Sequence, residues 1–266
     1  MKVITVADLK GGVAKTTTTS VFAACLAQRG YKVLCIDIDP QGNLSMIMAA
    51  DEKPGLRQAM EYCMRKKSDE DKYRIIHELI IEGKHYDLIP AGENLAYLES
   101  DLTHSTAGSY VLQQIIEKGK FAETYDFVII DTSPTFSYFI VNALVASDYV
   151  LVPMKADSFS EKGIQQLEDN VELVKKYNNP KIQVCGILRI IWNPREHLSK
   201  QVDEDLKEAA EVFDTIIFDT YIRKAVAVSE AHYVSENLLD YNAKSTVARD
   251  YQAFTDEFLK KVLKHE

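Results

Sequence analysis

At 266 residues, 46% hydrophobic and 27% charged, the chain can bury a sizeable core and has the composition of an ordinary globular protein. Its net charge of -9 excludes a molecule-wide attraction to nucleic acid, so any DNA contact needs a local basic patch. No run approaches the roughly 20 apolar residues of a membrane span, the first apolar run (residues 3–7) is too short for a secretory segment, and the 4 cysteines and 6 histidines lack metal-ligand spacing. Cys25, Cys35, Cys63 and Cys185 each lie in or beside apolar segments and read as small core hydrophobes of a reducing cytosol, which predicts a cytoplasmic protein.

Short β-branched runs alternate with longer helical patterns. Residues 2–7 read as a strand, 14–29 as a helix stopped by Gly30, and 32–37 as the next strand. Further strands are expected at 86–89, 127–131, 149–152, 183–190 and 215–218, and helices at 110–118, 160–176, 199–213 and 244–264. Residues 51–85 are charge-rich and read as a helical elaboration at the edge of the fold. The strands are near-continuous apolar runs, the pattern of strands buried on both faces. That predicts an α/β fold, a mostly parallel twisted sheet with helices on both faces. No linker divides residues 1–266, so one domain is expected.

The first strand runs into Asp8-Leu9-Lys10-Gly11-Gly12-Val13-Ala14-Lys15-Thr16-Thr17-Thr18-Thr19, and a helix follows. This is the context a phosphate-binding P-loop requires. Gly11 and Gly12 let backbone N–H groups approach phosphate oxygens, and the helix N-terminus adds unpaired donors and a favourable dipole. Lys15 is placed to reach β- and γ-phosphates, Thr16 to offer a hydroxyl to Mg²⁺, and Thr17 to reach the α-phosphate. The strict pattern GxxxxGK[ST] is not met, because its glycines fall on Leu9 and Ala14. The second strand ends in Asp37-Ile38-Asp39-Pro40-Gln41-Gly42-Asn43. Two carboxylates there can hold Mg²⁺ waters and orient an attacking water, and the same residues also fit a capped turn before a helix. Phe127-Val128-Ile129-Ile130-Asp131 is a Walker-B-like run, and a carboxylate at the end of a buried strand faces the ligand crevice of an open sheet.

Lys10 beside the glycines gives the deviant Walker A pattern KGGxxK[ST]. With the Asp37–Asn43 run and the Asp131 run, the chain resembles the ParA/MinD family of P-loop ATPases, and within it the ParA/Soj partition proteins. The family usually has Gly where this chain has Ala14. The resemblance implies ATP and Mg²⁺ as cofactors and a nucleotide site made of Lys10, Gly11, Gly12, Val13, Ala14, Lys15, Thr16 and Thr17. It makes Lys10, Lys15 and Asp39 catalytic, with Asp39 positioning the hydrolytic water. Thr16 and, through water, Asp131 would hold the metal, with Asp37 in support, and Thr132, Ser133 and Pro134 would sense the γ-phosphate. It also implies an ATP-dependent homodimer in which Lys10 of one subunit reaches the phosphates of the other.

The resemblance continues more thinly through Val152-Pro153, Ser158-Phe159-Ser160, Gly163, residues 193–199 and Ser229-Glu230-Ala231. Such proteins resemble one another in binding DNA non-specifically through C-terminal basic residues, for which Arg195, Arg223 and Lys224 are the candidates. Lys2 already lies in the first strand, leaving no room for a separate operator-binding domain, so site recognition would fall to a ParB-type partner. Nucleoid association in the ATP state follows from that reading. A MinD-like ATPase working on a membrane is the alternative. The last helix carries Tyr251, Phe254, Phe258, Leu259, Val262 and Leu263 along one face, but Asp256 and Glu257 interrupt it, so it is expected to pack on its own fold, with no membrane contact.

Overall fold

A computed structural model describes residues 1–65, 67–156, 161–195 and 197–263. Seven strands form one sheet: β1 (Lys2–Val6), β2 (Val33–Asp37), β3 (Asp87–Ile89), β4 (Phe127–Asp131), β5 (Tyr149–Met154), β6 (Gln183–Ile190) and β7 (Ile217–Ile222). Their order is β3-β2-β4-β1-β5-β6-β7, and every pairing is parallel. The helices are α1 (Lys15–Gln28), α2 (Asn43–Ile47), α3 (Leu56–Met64), α4 (Asp69–Glu78), α5 (Leu98–His104), α6 (Val111–Lys118), α7 (Tyr138–Ala146), α8 (Glu161–Tyr177), α9 (His197–Val212), α10 (Val226–Tyr233), α11 (Leu238–Asn242) and α12 (Thr246–Lys261). The segment Ser158-Phe159-Ser160 and residues 264–266 lie outside the described residues.

Side chains alternate across each strand, so a strand buried on both sides needs apolar residues at every position. Ile4, Val6, Cys35 and Ile129 point into the core beneath α1 and α12, while Val3, Leu34, Ile36, Val128 and Ile130 point into the core beneath α3, α6 and α7. A third cluster joins Val150, Val152 and Ile187 to Leu167 of α8 and Leu206 of α9. Within residues 51–85, Leu56, Met60, Cys63 and Ile76 of α3 and α4 are buried in the second of these cores. All four cysteines are buried and free.

The strand expected at 215–218 lies later in the chain. Asp214 takes a positive φ of 47°, and the Thr215 hydroxyl donates to the Val184 carbonyl at 2.6 Å, so Thr215 lies between that turn and the strand, and pairing with β6 begins at Ile217. The fifth strand runs past Val152 through Pro153. Its pairing with β1 stops at Leu151, so the missing N–H of Pro153 lies beyond that ladder. The last helix packs inward as expected. Tyr251, Phe254 and Phe258 are 1%, 0% and 0% exposed, and Phe254 meets Phe22, Phe218 and Phe258 with ring centroids 5.2, 5.0 and 6.2 Å away.

From β1 the chain winds toward the β3 edge, and after β4 it winds toward the β7 edge. The carboxyl ends of β1, β2 and β4 therefore border a crevice at the reversal of strand order, where open α/β sheets bind ligands. Truncating the aromatic contact that clamps α12 to α1 and β7 tests the packing. Phe254→Ala should cost about 3–5 kcal/mol of unfolding free energy, read as a lower denaturant midpoint at unchanged slope. A loss under about 1 kcal/mol would mean that α12 is not part of the core.

Candidate functional site

The loop between β1 and α1 is built around two left-handed residues. Gly12 has φ 75°, and Ala14, the residue before the helix, has φ 53° and ψ 33°. Glycine adopts this conformation freely, whereas alanine is strained there by about 1 kcal/mol or more, so Ala14 keeps the loop's shape at a cost in strain. The Asp8 carboxylate accepts the Lys10 N–H at 2.9 Å and closes the first turn of the loop. Burial pushes Asp8 up to about 6, against the pull of that hydrogen bond and of Lys15 and Lys10.

Lys15 is 7% exposed, and its Nζ curls back to donate to the Lys10 carbonyl at 2.8 Å. Burial lowers its proton affinity, while the carboxylates of Asp8, Asp131 and Asp39 work in the other direction. The Thr16 hydroxyl donates to Asp131 Oδ2 at 2.7 Å, and the Thr19 hydroxyl donates to Oδ1 at 3.1 Å. Both oxygens of this fully buried carboxylate thus receive hydroxyls from α1. Desolvation, and next the neighbouring Asp37, push Asp131 up to about 8.

Asp37 stands opposite Asp131 in the β2–β4 register, but it is used differently. Its Oδ2 accepts the backbone N–H and hydroxyl of Ser45 at 2.8 and 2.7 Å, and its Oδ1 accepts Asp39 N–H at 3.2 Å. These bonds anchor α2 and the turn before it. Asp39 is 3% exposed, and its Oδ1 accepts the Gln41 N–H at 2.9 Å, so it caps the turn and borders the crevice at once.

A cavity of about 340 Å³ opens over the loop. Its walls include Gly11, Gly12, Val13, Ala14, Lys15, Thr16, Thr17, Asp39, Thr132 and Pro134. The structure thereby brings together most of the phosphate-site residues expected from the sequence. Lys10 is not part of this lining, although its backbone carbonyl accepts from Lys15 Nζ, and Asp37 and Asp131 lie fully buried. Asn43, the end of the Asp37–Asn43 run, lines the same cavity, as do Met46, Ile47 and His232, which the sequence did not single out. Met46 and Ile47 lie in α2, directly after that run. His232 arrives from 215 residues away, its Nε2 3.3 Å from the Thr17 hydroxyl, and no local pattern announces it.

Arg195, Arg223 and Lys224 also come together, around a second cavity of about 680 Å³ at the carboxyl ends of β5, β6 and β7. Lys155, Trp192 and Tyr221 share its lining. Arg223 differs from its neighbours. Its Nε and a terminal nitrogen donate to the two oxygens of Asp250 at 3.0 and 2.6 Å, and its N–H donates to Oδ2 at 3.0 Å.

The fold and loop define a P-loop nucleotide-binding protein of the α/β class. Residues 1–184 match a family model described as an AAA domain. The chain is 34% identical over 250 residues to the sporulation initiation inhibitor protein Soj of Bacillus subtilis (strain 168), covering 94% of this chain and 95% of that one. It is 30% identical over 259 residues to the chromosome partitioning protein ParA of Caulobacter vibrioides (strain NA1000 / CB15N), covering 97% and 94%. Among solved structures, cobyrinic acid a,c-diamide synthase from Mycobacterium smegmatis with bound ADP and magnesium superposes with a TM-score of 0.80 at 25% identity, over 100% of this chain and 97% of that one. The chain belongs to the ParA/MinD-type P-loop ATPases. Among the described residues, no helix is long and apolar enough to cross a membrane.

The raised Asp131 carries a stability signature. An acid whose native proton affinity exceeds its unfolded value of 3.8 makes the native chain hold the extra proton between about pH 4 and pH 8. Its contribution is full below that window and is lost as pH rises through it. Asp131→Asn has no charge to bury, so its unfolding free energy should fall less than the wild type's between about pH 5 and pH 8. Asp37 contributes its own fall to both proteins. Parallel denaturant titrations would decide it, and identical losses in the two proteins would remove Asp131 as the source.

Proposed function

We propose that the protein is a Mg²⁺-dependent ATP hydrolase that works as a nucleotide-switched dimer, binds DNA non-specifically, and drives plasmid or chromosome partition with a ParB-type partner. The observation that carries the reading is the convergence of Lys15, Thr16, Thr17 and Asp39 on one cavity over the Gly11-Gly12 loop. ATP would lie with its phosphates on the loop N–H groups and on Lys15, at the start of α1.

The donors present fit Mg²⁺. Thr16 supplies a hydroxyl and Asp131 a carboxylate 2.7 Å from it, an all-oxygen set. The described residues contain no cluster of three or more acidic, His or Cys ligands, so phosphate and water would complete the shell, as Mg²⁺ prefers. When bound, the ion offsets charge on the β- and γ-phosphates. The Asp39 carboxylate would accept a hydrogen bond from a water and hold it in line with the γ-phosphorus. Attack forms the new P–O bond, the bond to ADP breaks, and ADP and phosphate leave. Lys15, and Lys10 from the second subunit, would stabilise the equatorial oxygens. Relatives named for chromosome partition and sporulation control support the switch reading over a metabolic one.

DNA would lie along the basic cleft of Lys155, Arg195, Arg223 and Lys224, a local patch within a chain of net charge -9. Two such clefts joined by ATP-dependent dimerisation bind far better than one, which would tie DNA affinity to the nucleotide.

Asp39→Ala should bind ATP and dimerise but lose about 100-fold or more in turnover, the scale of a lost positioning group, measured as steady-state phosphate release. Lys10→Ala should keep ATP binding and lose ATP-dependent dimerisation in sedimentation. A wild type that stays monomeric at saturating ATP would overturn the dimer. Duplex DNA of random sequence should bind only in Mg·ATP and weaken as salt rises. Arg195→Ala and Lys224→Ala should weaken that binding more than Arg223→Ala, whose guanidinium Asp250 already engages. ATP-independent or salt-insensitive binding would remove the cleft from the mechanism.

A further inference from the structure

The C-terminal quarter of the chain reaches the start of α1 at several points. Three successive stretches of the C-terminal quarter touch α1 through hydroxyls: His232 Nε2 lies 3.3 Å from Thr17 Oγ1, Asn237 Nδ2 donates to Ser20 Oγ at 2.8 Å, and Tyr251 Oη lies 3.0 Å from Thr18 Oγ1. The last two are sealed in the core. The first stands at the mouth of the phosphate cavity, with His232 at its exposed rim.

We propose that His232 is a positioning residue of the nucleotide site, acting through the Thr17 hydroxyl, and that α10 thereby reads whether the site is filled. This rests on the nucleotide reading of the cavity. A hydroxyl can accept one hydrogen bond while donating another. When the Nε2–H of His232 donates to Thr17, the Thr17 proton is left to point into the cavity, where a phosphate oxygen would receive it. The ring stands at the rim with its Nε2 side turned inward to Thr17, and this partial desolvation lowers its proton affinity, favouring the neutral ring.

The placement of α10 makes the contact consequential. Arg223 and Lys224 of the basic cleft immediately precede the helix, and His232 lies in its last turn. An 8-residue helix spans about 12 Å, so one rigid rod joins the cleft to the phosphate loop. Among its residues only Ala231 is buried, while Val226 and Tyr233 are 72% and 90% exposed. A helix with so small a buried face is sensitive to each remaining tie, and the tie at His232 is the one that a nucleotide can strengthen.

His232→Ala, His232→Gln and Thr17→Ala, with the His232→Ala/Thr17→Ala double variant, test this with Mg·ADP as the probe. Calorimetry should show ADP affinity about fivefold weaker in His232→Ala, largely restored in His232→Gln, whose amide reaches the Nε2 position, and no further loss when His232→Ala is added to Thr17→Ala. Amide hydrogen exchange over residues 226–233 should slow with ADP in the wild type and the Gln variant, but not in the Ala variant. Unchanged affinity together with full ADP protection of α10 in His232→Ala would overturn the proposal while leaving the nucleotide site standing. A wild type that binds no ADP would take down both.

Discussion

Two carboxylates buried side by side at the ends of adjacent parallel strands constrain everything around them. Asp37 and Asp131 face each other in the β2–β4 register, fully buried. Burying charge is costly unless hydrogen bonds receive it, so each recruits its own donors. Asp131 takes the hydroxyls of Thr16 and Thr19 and so fixes the first turn of α1. Asp37 takes Ser45 and the turn at Asp39, and so fixes α2. Loop, helix and catalytic candidate are thereby held around one cavity by the same pair of acids.

That arrangement explains why α1 is a threonine-rich helix buried almost all round. Thr17, Thr18, Thr19 and Ser20 are buried, and each side chain has a hydrogen-bond partner on another element: His232, Tyr251, Asp131, and Tyr86 with Asn237. The helix is the hub between the sheet and the C-terminal segment, and Phe22 continues the contact against Phe254 and Phe258. A helix held on every side presents its N-terminus to a ligand with little freedom, the preorganisation that electrostatic catalysis needs.

The strands were readable because burial on both faces forces continuous β-branched runs, and β4 and β6 fall at the expected residues. Their ends were less readable. Thr215 is as β-prone as its neighbours, yet it lies before the strand, its hydroxyl bonded to the Val184 carbonyl. The short helices α2, α10 and α11 and the apolar α7 carry weak periodicity, since they are bounded by tertiary contacts and, for α7, apolar around most of the circumference.

By itself, the sequence laid out the residues of the candidate phosphate site. Gly11, Gly12, Lys15, Thr16, Asp39 and Asp131 announce a phosphate loop because each is tied to a strand end or helix start by local spacing, and local spacing is what a sequence displays. Tertiary structure alone decided how those residues are shared. It assigned Asp37 to anchoring α2, engaged Arg223 with Asp250, gathered Arg195 and Lys224 beside Lys155, and set His232 against Thr17. Those pairings span 8 to 215 residues of chain and depend on which strand ends and helices the winding of the sheet brings together, information that no local pattern carries.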